Sequence, residues 1–412
     1  PVREQSEIVG PAVRAMYLYS GVADVASRTG EKALVEAMDR IWRDVTQRKM
    51  YITGGIGPSA SNEGFTVPYD LPNDTSYAET CAFTSTHTRN LTMKNAYGDA
   101  KYADILERAL YNGILSGVSL EGSKFFYVNP LASRGQHRRQ PWYGCACCPT
   151  NVVRLIPQVG SYLYATTREG VWINLYAASR AVATLNGKRL ELVQETEYPW
   201  SGAVKLTVNP AEPAAFAVNL RVPGWCERAT VKLNERAIDA APGENGYLRI
   251  SRRWRRGDTI LLDMPMTVQR IAANPKVAAD VGRVALQRGP IVYCLESMDN
   301  GGSVRDIALA PDAKLDAHFE PDLLGGVMVL RGRALRRKAV EWKDALYRAV
   351  PPGEEVSIVA VPYYAWNNRE PGEMVVWLPE TPAFAEAKLP PTIAVEAEPA
   401  ASFSHDRLRA MN

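Results

Sequence analysis

Two short stretches hold four of the chain's six cysteines: Tyr77-Ala78-Glu79-Thr80-Cys81 and Tyr143-Gly144-Cys145-Ala146-Cys147-Cys148-Pro149-Thr150-Asn151. Glu79, Cys81, Cys147 and Cys148 together offer a carboxylate and three thiolates. Zinc accepts both donor types in a tetrahedral shell, so this set points to a bound Zn2+. The competing reading is a group of buried structural thiols, since free Cys is among the most buried residue types. The Glu-x-Cys pair and the adjacent cysteines favour the metal. His87 and His137 stand at no clear ligand spacing, and His137 falls in Gln136-His137-Arg138-Arg139-Gln140, which reads as a solvated loop. Cys145 reads as a bystander, Cys226 and Cys294 as core. Trp142 and Tyr143, just before the cysteines, suit stacking on a ligand face or simple burial of area.

These residues need elements to position them. Apolar spacing predicts a helix from Glu7 through Leu18, with Pro11 starting or kinking it and Ser20-Gly21 ending it. A second amphipathic helix follows over Lys32–Val45. Residues 51–76 carry glycine and proline punctuation and read as a long loop, a kind of segment more often functional than idle. Helices are expected again over Tyr77–Asn95 and Ala100–Leu115, with 116–147 irregular. The stretch at 84–94 is unusually polar for a helix lining a core. Pro149 suits the first position of a helix, which places Cys147 and Cys148 at its N-terminus, where the dipole favours a thiolate.

Beyond Tyr164 the period changes to that of strands, as in 171–176, 204–208, 217–222 and 259–262, with turns at Asn186-Gly187 and Gly257-Asp258. A second β-rich region runs through 284, 291–293, 356–360 and 374–377. Helices first and strands after argue for separate domains: 1–165 helical, 166–278 a β-sandwich, 279–400 a second β-sandwich, and 401–412 a tail, the Ala-, Pro- and Glu-rich stretch beginning at Pro379.

The chain as a whole, 412 residues with net charge +3, has no basic run that would track phosphates, so nucleic acid is not implied. No apolar run reaches membrane-span length. Six cysteines make no disulfide framework, and exposed thiols suit a reducing compartment such as the cytoplasm. A homodimer is compatible with this composition. The chain starts at Pro1 rather than Met and is expected to be processed, trimmed or partial.

Further motifs extend the pattern: Tyr51-Ile52-Thr53-Gly54-Gly55-Ile56-Gly57, Asn62-Glu63-Gly64-Phe65, Asp70-Leu71-Pro72-Asn73-Asp74, Glu107-Arg108-Ala109-Leu110-Tyr111-Asn112-Gly113 and Phe126-Tyr127-Val128-Asn129-Pro130-Leu131. With the two cysteine stretches, and in this order, they resemble glycoside hydrolase family 127, the retaining β-L-arabinofuranosidases. The resemblance covers nearly the whole chain. It implies part of an (α/α)6 barrel followed by two β-sandwich domains, the chain beginning partway through the barrel. It also implies that Glu79, Cys81, Cys147 and Cys148 are zinc ligands, Cys147 the nucleophile, Glu63 the general acid/base and Tyr127 an active-site tyrosine. One position departs: the family usually has Gly-His where this chain has Gly10-Pro11, and that histidine contacts the sugar. A proline side chain has neither donor nor acceptor, which bears on sugar affinity and specificity.

The reaction implied is release of terminal β-L-arabinofuranose from plant-type glycans or glycoproteins, with a thiolate in place of one of the usual two carboxylates. The alternative is a non-catalytic, zinc-stapled module that binds carbohydrate or packs in a complex, because a four-ligand zinc site is more often structural than catalytic. A metal-free thiol enzyme is the weakest reading, since Cys-x-Cys-Cys lacks redox spacing and no partner histidine is evident.

Overall fold

Helix α1 (Ala12–Thr29) runs straight through the Ser20-Gly21 pair expected to end it. A mid-helix glycine costs only about 1 kcal/mol. Met16, Tyr19, Ala23 and Ala26 continue one buried face on both sides of it, and that face decides. The helix stops instead at Gly30, in the left-handed conformation that glycine adopts freely. Pro11 neither starts nor kinks the helix but caps it from outside, with extended backbone. Helix α2 (Lys32–Arg48) packs beside α1, and Leu34, Met38, Ile41 and Val45 form its buried stripe.

The structure is a computed structural model that describes residues 1–86, 93, 98–338, 341, 343, 346–347 and 353–380. The end of the expected helix at 77–95, the polar stretch beyond 86 with His87, and the tail beyond 380 lie outside the described residues. Helix α3 begins at residue 80, not at Tyr77, because Ala78 has φ +31° and breaks the helical path. Helix α4 (Ala100–Arg108) continues as a π-helical turn, Ala109–Ile114. A Cβ on Gly113 would lie 1.8 Å from the Phe83 ring, so only glycine lets α3 nest against this turn. Helix α5 (Cys147–Leu155) starts two residues ahead of Pro149, which sits in its first turn where no N–H is needed. Among the described residues, then, helices are few and antiparallel strands many, and no helix is long and apolar enough to cross a membrane.

The expected strands at 204–208 and 259–262 lie inside Ala203–Pro210 and Asp258–Asp263; the one at 171–176 is shortened to Gly170–Ile173, and the one at 217–222 is extended at its start to Ala214–Arg221. Residues 164–263 form a four-stranded and a six-stranded sheet around one core that includes Val171, Leu192, Val218, Trp254 and Leu262. Asn186-Gly187, both at positive φ, makes the two-residue turn between Ser179–Leu185 and Lys188–Thr196. The C-terminal strands, with Ala132–Arg134, hydrogen-bond into one ten-stranded arrangement.

That last arrangement is joined to the helical region. The supposedly irregular 116–147 segment contributes a strand, Ala132–Arg134, which pairs antiparallel with Glu373–Val375. In Ile291–Glu296, Val292 and Cys294 face a core shared with Tyr51, Phe83, Leu110 and Phe126, while Ile291, Tyr293 and Leu295 face a second core on the other side. The period of two thus serves two cores, and the strand is apolar on both faces. Cys294 and Cys226 are buried in these cores.

Candidate metal and catalytic centre

Three backbone segments converge on the site. Tyr77 N and Ala78 N donate to Pro58 O (3.1 Å) and Gly57 O (2.9 Å) in the long loop. On the other side Thr80 N donates to Tyr127 O (2.9 Å), Thr80 Oγ1 to Phe126 O (2.8 Å), and the Asn129 amide to Ala78 O and Thr80 Oγ1 (both 2.9 Å). Segment 77–81 is therefore clamped between the loop and 126–129. This sets Glu79 and Cys81 opposite the N-terminus of α5, which carries Cys147 and Cys148.

The four donor atoms of Glu79, Cys81, Cys147 and Cys148 lie within 4.8 Å of one another. Cys81 and Cys148 sulfurs are 3.3 Å apart, those of Cys147 and Cys148 3.9 Å, and both Cys147 and Cys148 stand 3.5 Å from Glu79 Oε1. A tetrahedral ion with bonds of about 2.3 Å to sulfur and about 2.0–2.2 Å to oxygen requires edges of roughly 3.8 Å and roughly 3.5 Å. The side chains present fit such an ion. Glu79, Cys81 and Cys148 are buried, whereas Cys147 is only half-buried. Burial pushes the Cys147 thiol up to about 12 and raises Cys148 further, while the neighbouring Cys148 thiol and, against burial, the Asn151 amide lower Cys81. Cys147 and Cys148, biased toward the protonated form, would release their protons on binding a cation, whereas Cys81 is biased the other way.

Around Cys147, the Tyr127 hydroxyl lies 3.4 Å from its sulfur. Tyr127 is fixed in turn by Tyr143, whose hydroxyl accepts from Tyr127 N (3.2 Å) and donates to Phe125 O (2.9 Å). Trp142 is 58% exposed and touches Phe125 edge-on, with ring centroids 6.1 Å apart. Cys145 is exposed and outside the four-donor group.

Glu63 sits in the loop with φ +52°, its side chain exposed. The loop is tightly held: Ala12 N donates to Glu63 O (2.9 Å), Phe65 N to Gly10 O (3.0 Å), and Asn62 Oδ1 accepts from Gly64 N (3.1 Å). A Cβ on Gly64 would come 2.1 Å from Gly10 O, so the Gly10-Pro11 dipeptide braces the Glu63 turn through its backbone. The Tyr77 hydroxyl donates to Glu63 Oε1 (3.3 Å), and the Tyr77 and Tyr127 rings meet edge-on at 6.2 Å. A chain of contacts thus leads from Glu63 through Tyr77 and Tyr127 to Cys147. Tyr77, whose hydroxyl burial holds well above the usual phenol range, and Asn151, which donates to Cys81 (3.0 Å), were not singled out from sequence, although both lie within the two motifs.

His137 is placed away from this group and is no loop residue in water. It stacks on Phe126 (4.7 Å) and Trp366 (5.9 Å), with its Nε2 2.8 Å from Val128 O. Beside it, buried Arg139 donates to Ser116 O (3.0 Å), Trp366 O (2.6 Å) and Tyr364 O (3.3 Å) and lies over the Phe126 ring. The charged run is half inside because carbonyls of the nearby Ser116 and, from more than 200 positions away, of Tyr364 and Trp366 satisfy it.

Residues 1–161 match the family description "Beta-L-arabinofuranosidase, GH127 catalytic domain", 170–266 its middle domain and 268–379 its C-terminal domain. The chain belongs to glycoside hydrolase family 127. It is 38% identical to the non-reducing end β-L-arabinofuranosidase of Bifidobacterium longum subsp. longum, over 92% of this chain and 60% of that protein. Among solved structures, Ara127N-Se, a GH127 β-L-arabinofuranosidase from Geobacillus stearothermophilus T6, superimposes with a TM-score of 0.90 at 48% identity, covering 92% of this chain and 62% of that one. The GH127 β-arabinofuranosidase BT3674 does so with 0.87 at 41%, covering 92% and 61%. The chain thus spans about 60% of the length of these relatives.

Proposed function

We propose that this family member is a retaining glycoside hydrolase that releases terminal β-L-arabinofuranose from plant-type glycans. Glu79, Cys81, Cys147 and Cys148 would hold Zn2+, and the helices would form part of an (α/α)6 barrel. The observation that carries the reading is the convergence of these four donors with the half-buried Cys147 as the member open to substrate. Zinc, when bound, deprotonates coordinated thiols, which a nucleophilic Cys needs.

The residues then divide the work. The Cys147 thiolate attacks the anomeric carbon as the C–O bond breaks, and the Glu63 carboxyl gives its proton to the departing oxygen. Water next attacks the same carbon, Glu63 takes its proton, and the C–S bond breaks, so that two inversions give retention. Tyr127 orients the Cys147 sulfur, and Tyr77 orients Glu63; Tyr143 holds Tyr127, and Trp142 offers an exposed ring to the sugar. Six free cysteines suit a reducing compartment, and the cytoplasm is the proposed location.

One observation favours the second reading, a zinc-stapled module that binds carbohydrate without cleaving it: Glu63 is exposed and touched by a single hydroxyl. Metal content of the purified chain, together with turnover of an aryl β-L-arabinofuranoside, separates the two. Zinc near one per chain, with turnover abolished by Cys147→Ser, supports the hydrolase. Zinc without turnover supports the module.

A further inference from the structure

Arg108, on the face of α4, stands where two cavities meet. Two cavities, of about 200 and 260 Å³, both have Ile105 and Arg108 in their walls. Trp42 and Trp225 flank one, Tyr69 and Trp377 the other. The cavities are built from the helical region, the middle sandwich and the C-terminal sheet together, and none of the four metal-cluster residues lines them.

Arg108 is half-buried, and no hydrogen bond or ion pair reaches its guanidinium among the described residues. Its neighbours on the helix are already engaged. Asp104 accepts from Arg221 (2.6 Å) and Gly224 N (3.2 Å), and Glu107 accepts from Arg221, Tyr198 (2.7 Å) and Trp225 (3.3 Å). A guanidinium carries five N–H donors in a planar fork and is seldom withdrawn from water without acceptors. Here the fork meets aromatic walls and two cavities, with its local charge already balanced by Asp104 and Glu107 set against Arg221. That combination matches a saccharide: ring faces lie against aromatic walls, while a pair of adjacent oxygens accepts from the fork.

We propose that the groove over α4 is a second saccharide-binding site, with Arg108 donating to paired oxygens of a sugar, either vicinal hydroxyls or a uronate carboxylate. The ligand class rests on the carbohydrate reading above; the site rests on the geometry of α4.

The test is calorimetric titration of the chain carrying Glu63→Gln, so that no glycan is consumed, with an arabinofuranose trisaccharide and separately with trigalacturonate. We expect one of them to bind with an Arg108-dependent event, weakened about tenfold or more by Arg108→Met and less by Arg108→Lys. Ile105→Trp, which fills both cavities without touching the charge, is expected to remove the same event. The preferred trisaccharide tells hydroxyl from carboxylate recognition. Failure of both sugars to bind at millimolar concentration overturns the proposal, as does binding unchanged in both Arg108→Met and Ile105→Trp. Turnover of an aryl arabinofuranoside by the unsubstituted chain is read independently. Hydrolysis without Arg108-dependent binding sinks this site alone, and Arg108-dependent binding without hydrolysis sinks the hydrolase reading alone.

Discussion

Two glutamates, Glu79 and Glu107, are both almost completely buried, and their surroundings could hardly differ more. Glu107 meets a full set of protein donors: the Arg221 guanidinium, the Tyr198 hydroxyl and the Trp225 indole. Arg221 is itself fully buried and also binds Asp104, so the charges compensate one another inside the fold. Glu79 has no such cation among the described residues. Its side chain faces the sulfurs of Cys147 and Cys148, with Cys81 close by. A buried carboxylate with a built-in counterion ties elements together, here α4 to the strand Ala214–Arg221. A buried carboxylate among thiols has no such built-in counterion, and the proposed cation would supply it from outside.

This contrast can be broken in six ways. The largest effect is expected at the thiol site: Cys147→Ser should lower turnover by about a thousandfold or more, because nucleophile loss removes the first step altogether. A chelator should do the same while also lowering the melting temperature; an unchanged melting curve after the metal is shown to be gone would mean that Glu79 needs no cation. At the other glutamate, Arg221→Met leaves Asp104 and Glu107 uncompensated and should cost about 3–5 kcal/mol, read by denaturant unfolding. Loss of less than about 1 kcal/mol would remove the distinction between the two sites.

Glu63→Gln should slow turnover by about 10²–10⁴-fold, with metal content and melting temperature unchanged. Gly64→Ala forces a Cβ into Gly10 O and should cost about 1–3 kcal/mol while shifting the Glu63 turn, so its activity should fall more than its stability. The smallest effect concerns Asp280, whose carboxyl burial pushes up to about 6 against the hydrogen bond from Asn73 (2.7 Å). Between about 4 and about 6 the folded state binds more protons than the unfolded one, so this residue's contribution to stability declines as pH rises through that window. Asp280→Asn should flatten that slope and raise the melting temperature slightly at pH 7; an identical pH profile would refute the assignment.

Much of the candidate centre was legible in the sequence because it depends on residue type and short spacing. Glu79-x-Cys81 and Cys147-Cys148 carry metal-donor chemistry in their own side chains, and Pro149 marks the helix start within two residues. The missed details have a common cause. Ser20-Gly21 has the local signature of a helix end, yet a buried face running through Ala23 and Ala26 overrides it. His137 and Arg139 have the composition of a wet loop, yet Trp366 and Tyr364 cover them. Tyr77 and Asn151 sit inside recognised motifs, but nothing local says that one reaches Glu63 and the other Cys81.

From sequence alone came the donor set, the order of helices and strands, and the alternation that builds the sheets. All of these follow from intrinsic chemistry or from a period of a few residues. Only the tertiary structure decided that Ala132–Arg134 joins the C-terminal sheet, that Arg221 rather than a metal neutralises Glu107, and that the Arg108 guanidinium meets no protein acceptor among the described residues. Each of these depends on which distant segment packs against which. Burial and charge balance choose among such pairings only once the whole chain is in place.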